Sequence, residues 1–158
     1  MVWAGIMMDG LTDLHFFDTR SVTAQRYRDE VLEPYVPLFR GDVGPEFIFM
    51  DDNAPCPRAV LIDDFLETEN IQRMSWPANS PDLNAIEHVW EMLGRQIAVL
   101  LHPLSSVTEL KRVLQEAWNC LSAQLIHHLI ASMVNRSAAC LAVRCDHTPY
   151  KLQHQYFI

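Results

Sequence analysis

The chain has 158 residues, of which 49% are hydrophobic, and this is enough for one compact domain with its own core. No apolar run approaches the roughly 18 residues that a membrane span needs, and residues 1–6 carry no basic segment, so neither a transmembrane helix nor a secretory signal is expected. The formal net charge of −8 argues against a broad basic surface for nucleic acid, so any such contact must be local, bridged by metal or supplied from outside this chain.

The first predicted element is a β-hairpin. Residues 2–7 and 14–17 are short apolar runs that favour extended structure, and they flank Asp9 and Gly10. An Asp-Gly pair between two such runs is typical of a tight hairpin turn.

A helix is predicted over residues 21–35. Its apolar stripe consists of Ala24, Tyr27, Val31 and Tyr35. Pro34 and Pro37 are expected to end or bend this helix, because proline removes a backbone donor and collides with the preceding turn. Residues 41–45 are expected to form a loop.

A continuous apolar run over residues 46–50 stops abruptly at Asp51 and Asp52. A buried central strand has this pattern, with its acidic residues at the C-terminal edge of the sheet. Residues 58–68 return to helical spacing, and residues 71–76 predict a second short strand.

The next helix is predicted to begin at Ser80. Ser80 can cap the helix, Pro81 suits its first position and Asp82 complements its positive end, which places Glu87 about two turns in. Two amphipathic helices are expected after it, over residues 105–120 and 122–135. This order of strands and helices indicates an α/β domain with a mixed sheet.

The cysteines form no CxxC pair and show no regular spacing, which predicts free thiols in a reducing compartment. They are Cys56, Cys120, Cys140 and Cys145. His147 and His154 lie close to the last two, but the spacings match no zinc module.

Asp52 and Glu87 are the candidate catalytic and metal-binding residues. Asp52 ends a strand, Glu87 lies on a helix, and the 34 residues between them leave room for a helix, a strand and the next helix to fold back. Two carboxylates placed in this way can share Mg²⁺, which completes its shell with water and phosphate oxygens. A pair of such ions about 3.5–4 Å apart can activate a hydroxyl nucleophile and stabilise the leaving oxygen.

The residues around this pair carry a family resemblance. Residues 49–55 read F-M-D-D-N-A-P, and residues 76–90 read W-P-A-N-S-P-D-L-N-A-I-E-H-V-W. Both closely resemble the Tc/mariner transposases, in which the second motif reads W-P-x-x-S-P-D-L-N-P-I-E. Residues 1–6 and 146–150 resemble further segments of that family, so the likeness covers nearly the whole chain except its tail.

The resemblance implies an α/β fold of the RNase H-like type, a mixed sheet with flanking helices, over residues 1–150, followed by a C-terminal tail, 151–158. It implies that Asp52 and Glu87 are catalytic ligands of Mg²⁺ or Mn²⁺. Asn84 either orients a ligand or a water beside Glu87 or is only a helix-start residue. Asp51 is not expected to be a ligand, because successive strand residues point to opposite faces.

The chain departs from the family pattern in three ways. The family's first catalytic Asp lies before the segment in which this chain begins, so we expect the fold to lack its first, central strand, metal binding to be weak and cleavage to be absent. Pro55 and Pro57 stand where the family has Arg and His. Ala85 replaces a Pro, and Cys145 replaces a Gly.

Two functions remain open on the sequence. The first is DNA transposition and integration in the nucleus by a transposase that has lost activity in this form, with transposon-end DNA as partner. The second is a domesticated, non-catalytic remnant that binds protein or DNA. An exposed sheet edge would favour pairing with itself or with full-length transposase.

Overall fold

The computed structural model describes residues 1–8, 10–19, 21–51, 60–74, 83–100, 104 and 106–142. The strands within them are β1 Val2–Trp3, β2 Ile6–Met7, β3 Gly10–Leu11, β4 His15–Phe16, β5 Ile48–Phe49 and β6 Gln72–Arg73. The α-helices are α1 Ala24–Tyr27, α2 Glu33–Val43, α3 Val60–Thr68, α4 Ala85–Ala98, α5 Val107–Asn119, α6 Ala123–Ala131 and α7 Met133–Ala142. A π-helical turn, Arg28–Leu32, joins α1 to α2.

The predicted N-terminal hairpin is confirmed. Strand β1 pairs antiparallel with β4, and β2 pairs antiparallel with β3. Thr12 joins the two halves, because its N–H donates to the Gly5 carbonyl at 3.0 Å and its hydroxyl accepts from the Gly5 N–H at 2.8 Å. Asp9, at the predicted turn, lies outside the described residues.

Of the two outcomes expected for Pro34 and Pro37, ending or bending the first helix, the first does not occur, since helical structure continues to Val43, into the predicted loop. The π-helical turn ends immediately before α2, so Pro34 falls at an N-terminal helix position, where a missing N–H costs little. Pro37 is tolerated inside α2. Packing outweighs its local cost, because Val36 beside it is buried in the core.

Strands β5 and β6 are parallel and are connected through α3. Asn70 ends α3 in the left-handed conformation, with φ of 52°, and the N–H of Ile71 reaches back to the Leu66 carbonyl at 2.8 Å. The prediction of a buried central strand is only half right: Phe49 is buried, but Ile48 is 45% exposed.

The helix expected over residues 122–135 is two helices, α6 and α7, with a break at Ser132. The Ser132 hydroxyl donates to the Leu129 carbonyl at 2.7 Å, which satisfies an acceptor at the end of α6.

The buried apolar residues form two clusters. The β5 cluster comprises Phe17, Tyr27, Val31, Leu32, Val36, Phe49, Ile62, Leu66 and Ile71. The hairpin cluster comprises Ala4, Leu14, Val89, Leu93, Trp118 and Ile126. Trp118 ties α5 to the hairpin, because its indole N–H donates to the Thr12 carbonyl at 2.9 Å.

Among the described cysteines, Cys120 is an exposed free thiol, as predicted, and Cys140 is buried. The other two cysteines and the histidines at 147 and 154 lie outside the described residues. None of the described helices is both long and apolar enough to cross a membrane.

Candidate active site

Glu87 lies in the first turn of α4, not two turns into a helix as predicted from Ser80. The helix begins at Ala85 because Asn84, in an extended conformation, caps it, and the Asn84 side-chain oxygen accepts from the Ile86 N–H at 3.3 Å. Ser80 lies outside the described residues. Glu87 is an acidic residue in the first turn of α4, where the positive end of the helix dipole interacts favourably with negative charge.

The helix-start interpretation of Asn84 is the one that the structure displays. Its side-chain oxygen caps α4, and its backbone carbonyl accepts from the Glu87 N–H at 3.2 Å. Asn84 thus fixes the turn of backbone that carries Glu87. This contact is made through the protein chain itself and requires no metal or water.

Asp51 is buried at the end of β5 and is held by Arg73 of β6. The Arg73 guanidinium donates from Nε to Asp51 Oδ1 at 3.1 Å and from Nη2 to Oδ2 at 2.7 Å. The same guanidinium donates from Nη1 to Asp63 on α3 at 2.7 Å. This geometry gives Asp51 a structural partner, and the expectation that Asp51 is not a metal ligand stays a prediction.

The electrostatics of this cluster favour the charged forms. Burial of the Arg73 guanidinium lowers its pKa, but the hydrogen bonds and charges of Asp51 and Asp63 outweigh burial, and the net result is a raised pKa. Arg73 is therefore a permanent cation that joins β5, β6 and α3 beside the candidate site.

A cavity of about 1190 Å³ borders these residues, and Asp51, Asn84 and Glu87 all lie on its wall. Asp52, the other predicted ligand, lies outside the described residues, so the separation of its carboxylate from that of Glu87 stays a prediction. Within the described part of the chain, no three acidic, histidine or cysteine side chains come together as a metal-binding group.

The donor chemistry fits a divalent cation in part. Glu87 offers the hard carboxylate oxygens that Mg²⁺ and Mn²⁺ prefer. It lies on the cavity wall together with Asp51, the residue immediately before Asp52. The Asp51 carboxylate is already bound to Arg73.

Two arginines with structural roles at this site were not identified from the sequence. The sequence offers one indication of the role of Arg73: it is the lone cation in a predicted short strand that follows the acidic end of another strand. It offers none for Arg136, which is buried on α7 and whose guanidinium donates to the Leu129 carbonyl at 3.2 Å and to the Leu83 carbonyl, just before Asn84, at 3.4 Å.

The chain is similar in sequence to known proteins over most of its length. The DDE superfamily endonuclease family matches residues 5–111. The chain is 32% identical to the transposable element Tc1 transposase of Caenorhabditis elegans over 109 residues, which is 69% of this chain and 39% of that protein. It is 29% identical to the transposable element Tcb2 transposase of Caenorhabditis briggsae over 153 residues, 95% of this chain and 54% of that protein. The chain thus spans about half the length of these curated relatives.

Solved structures show the same fold. The Mos1 transposase catalytic domain, determined with Raltegravir and Mg, superposes with a TM-score of 0.80 at 22% identity, covering 92% of this chain and 75% of that one. The Mos1 transposase paired-end complex with the left transposon end gives a TM-score of 0.76 at 24% identity, covering 93% of this chain and 43% of that one. The predicted RNase H-like fold class is confirmed by these likenesses.

Proposed function

This chain belongs to the DDE superfamily endonucleases, of the Tc1/mariner transposase kind, and from that premise we propose that it is part of a protein that cuts and joins DNA at transposon ends. The observation that carries the proposal is Glu87, held in the first turn of α4 on the cavity wall next to the end of β5. The motif residues around Glu87 and Asp52 support it.

Asp52 and Glu87 would hold Mg²⁺ or Mn²⁺. When bound, the cation stabilises negative charge on phosphate oxygens and makes a bound water or hydroxyl more acidic. Glu87 contributes an anionic oxygen whose charge the helix end favours, and Asn84 keeps that helix end in place. Transposon-end DNA is the partner, and with a net charge of −8 this part of the protein needs the cation to approach phosphates.

Metal titration tests the ligand assignment. We expect calorimetry with Mn²⁺ to show weak binding that Asp52→Ala and Glu87→Gln each abolish, because each removes one of two protein carboxylates. Glu116→Gln is the matched control, since Glu116 forms an exposed pair with Arg112 on α5, and it should leave the titration unchanged. Mn²⁺ binding that survives Asp52→Ala would show that the ligands are elsewhere.

We further propose that the 158-residue polypeptide by itself does not cleave DNA. Two carboxylates hold a metal pair poorly, and loss of one ligand removes several kcal/mol of transition-state stabilisation, or on the order of 10³-fold in rate. Labelled transposon-end DNA incubated with the chain in Mg²⁺ or Mn²⁺ should stay intact. Cleavage that disappears in Glu87→Gln would overturn this part of the proposal.

The second candidate function is a non-catalytic binding module. The feature that favours it is the half-exposed strand β5, which pairs with β6 on one side only among the described strands. Pro55 and Pro57, in place of the family's Arg and His, also favour it. DNA protection or partner capture that is unchanged in Glu87→Gln and in the absence of divalent metal would favour this function over the first.

A further inference from the structure

Arg136 lies on α7 and is only 4% exposed, so its charged guanidinium is held inside the fold. Two of its nitrogens reach different parts of the chain. Nη1 donates to the Leu129 carbonyl on α6 at 3.2 Å, and Nη2 donates to the Leu83 carbonyl, 53 residues earlier in the sequence, at 3.4 Å. Because a buried charge is costly unless it is hydrogen-bonded, these contacts are what the fold gains from this arginine.

The contact with α6 is a capping contact. The last carbonyls of a helix have no donor within that helix, and Leu129 lies in the final turn of α6. The Ser132 hydroxyl donates to the same carbonyl and also accepts from Arg136. A cation is favoured at this negative end of a helix. The α6 end therefore accounts for Nη1 and leaves the contact from Nη2 to Leu83 to be explained.

The contact with Leu83 lies at the approach to α4. Asn84 caps this helix, and the regular hydrogen bonds of a helix begin with the carbonyl of its cap. The Leu83 carbonyl comes before them, and Arg136 gives it a donor in a buried position. This places a cation at the positive end of α4, the end at which a helix favours anions. The stability of α4 alone therefore does not account for the contact.

The approach to α4 fixes the backbone of Glu87. The Leu83 carbonyl and the Asn84 N–H belong to one planar peptide group, so a hydrogen bond to that carbonyl restricts the orientation of Asn84. The Asn84 side chain in turn accepts from the Ile86 N–H at 3.3 Å, and its carbonyl accepts from the Glu87 N–H at 3.2 Å. A short chain of contacts thus leads from the arginine on α7 to the turn that carries Glu87.

The break between α6 and α7 also borders the cavity beside Glu87. Ile130, near the end of α6, and Met133, at the start of α7, line that cavity together with Glu87. Arg136 follows Met133 by about one turn of helix. Its guanidinium therefore joins the helix pair that forms part of the cavity wall to the turn that carries the candidate metal ligand.

We infer that Arg136 is a positioning residue for Glu87, acting through the Leu83 carbonyl and Asn84. The inference rests on the proposed function, in which Glu87 binds Mg²⁺ or Mn²⁺. Groups that orient a metal ligand without binding the metal typically change metal affinity by about 10–100-fold when they are replaced. Arginine suits this position because its planar fork reaches two carbonyls at once, which the single ammonium of lysine does not.

Amide hydrogen exchange of the metal-free chain tests whether Arg136 holds the turn. The reference is the Glu109 amide, which the Ser106 hydroxyl caps at 3.1 Å in the first turn of α5. We call the protection of the Ile86 and Glu87 amides, divided by that of the reference, the exchange ratio. A general loss of stability lowers all three protections alike. In Arg136→Met the exchange ratio should fall about tenfold, because the approach to α4 loses a charge-assisted hydrogen bond.

Ser132→Ala is the matched control. It removes the hydroxyl from the α6 side of the guanidinium and leaves the contact with Leu83, so it should lower stability without changing the exchange ratio. Arg136→Lys covers the case in which Arg136→Met fails to fold. It keeps the positive charge but offers one nitrogen to two carbonyls, so the exchange ratio should fall by at least about threefold.

Titration with Mn²⁺ connects the turn to the site. We expect Arg136→Met to weaken Mn²⁺ binding about tenfold and Ser132→Ala to leave it unchanged. An exchange ratio that is unchanged in both Arg136 variants would overturn the inference, and so would an unchanged Mn²⁺ affinity in a variant whose ratio has fallen. If the unsubstituted chain binds no Mn²⁺, the metal assignment of the proposed function is wrong, and the exchange ratio alone decides whether Arg136 positions Glu87.

Discussion

Arg73 determines what Asp51 does. Asp51 and Asp52 are adjacent acids at the end of the same strand, and either could serve as a ligand by composition alone. The guanidinium of Arg73 takes both oxygens of Asp51, whose side chain is only 3% exposed. Asp51 therefore acts as an anchor between β5 and β6, and Asp52 remains the candidate ligand.

Replacing Arg73 with Met should lower the free energy of unfolding by about 3 kcal/mol, because the buried Asp51 carboxylate loses its partner. This loss is at the lower end of the range for buried ion pairs, since Arg73 keeps some solvent contact. Urea denaturation measures this change. The control is Arg112→Met, which breaks an exposed pair with Glu116 and should cost less than about 1 kcal/mol. Equal losses in the two variants would contradict the anchor role.

Glu30 gives a pH-dependent contact between the hairpin and the π-helical turn that follows α1. The hydrogen bond from Arg26 lowers the pKa of Glu30, burial opposes this, and the hydrogen bond with His15 adds to the lowering. A carboxyl with a depressed folded-state pKa stabilises the fold above its unfolded pKa, about 4.3. That contribution is lost as the pH falls through the lower, folded-state value.

The urea midpoint should therefore decrease as the pH falls from about 5 to 3, and Glu30→Gln should flatten part of that decrease. Since Glu30 is partly exposed, raising the salt concentration should weaken the effect. Glu116→Gln is a control on an exposed pair that makes no contact with the hairpin. A Glu30→Gln profile parallel to that of the unsubstituted chain would refute this role.

At the level of elements, capping residues decide where the helices begin. Asn84, Ser106 and Ser122 each accept from a backbone N–H in the first turn of the helix that follows. The sequence predicted the second and third of these helices to begin near residues 105 and 122. For α4 it favoured Ser80 over Asn84, because Ser-Pro-Asp is the stronger local pattern. That local pattern carries no information about which turn of the helix packs against the hairpin.

Asn84→Ala should lower stability by about 1 kcal/mol, the usual cost of losing a cap. Ser122→Ala removes an equivalent cap from α6 at the same cost, away from the cavity wall. Thermal unfolding measures both losses, and Mn²⁺ titration separates their consequences: only Asn84→Ala should weaken metal binding, because only Asn84 fixes the turn that carries Glu87. Equal titrations for both variants would limit Asn84 to helix stability.

For the whole molecule, Trp118 connects parts that are distant in sequence. It is 2% exposed, stacks on Trp90 with ring centroids 5.5 Å apart and donates to the carbonyl of Thr12, 106 residues earlier. The hairpin is thereby attached to α4 and α5.

Trp118→Phe should cost about 2–4 kcal/mol, because it leaves a cavity and a buried carbonyl without its donor. Trp90→Phe is the comparison. It keeps most of the stacking on Trp118 and leaves the hydrogen bond from Trp118 to the Thr12 carbonyl in place, so it should cost less stability. Denaturant unfolding measures both, and a smaller loss for Trp118→Phe than for Trp90→Phe would contradict its role as a tie.

The sequence by itself determined the fold class, the N-terminal hairpin, α3, α5 and the motif that contains Glu87. These depend on local information: apolar periodicity, turn residues and short segments whose residue types are dictated by chemistry. Asp52, the other half of the predicted pair, stays a prediction. The weak metal binding and lack of cleavage also remain proposals.

Only the tertiary structure decided the features that depend on contacts between distant residues. Helical structure continues past Pro34 because a π-helical turn and core packing outweigh local propensity. Asp51 is bound by an arginine 22 residues away, and no pattern around Asp51 specifies that distance. The cavity beside Glu87 is lined by residues 1–8, 46–51 and 84–87, and such an arrangement belongs to the packed chain and to no single segment of it.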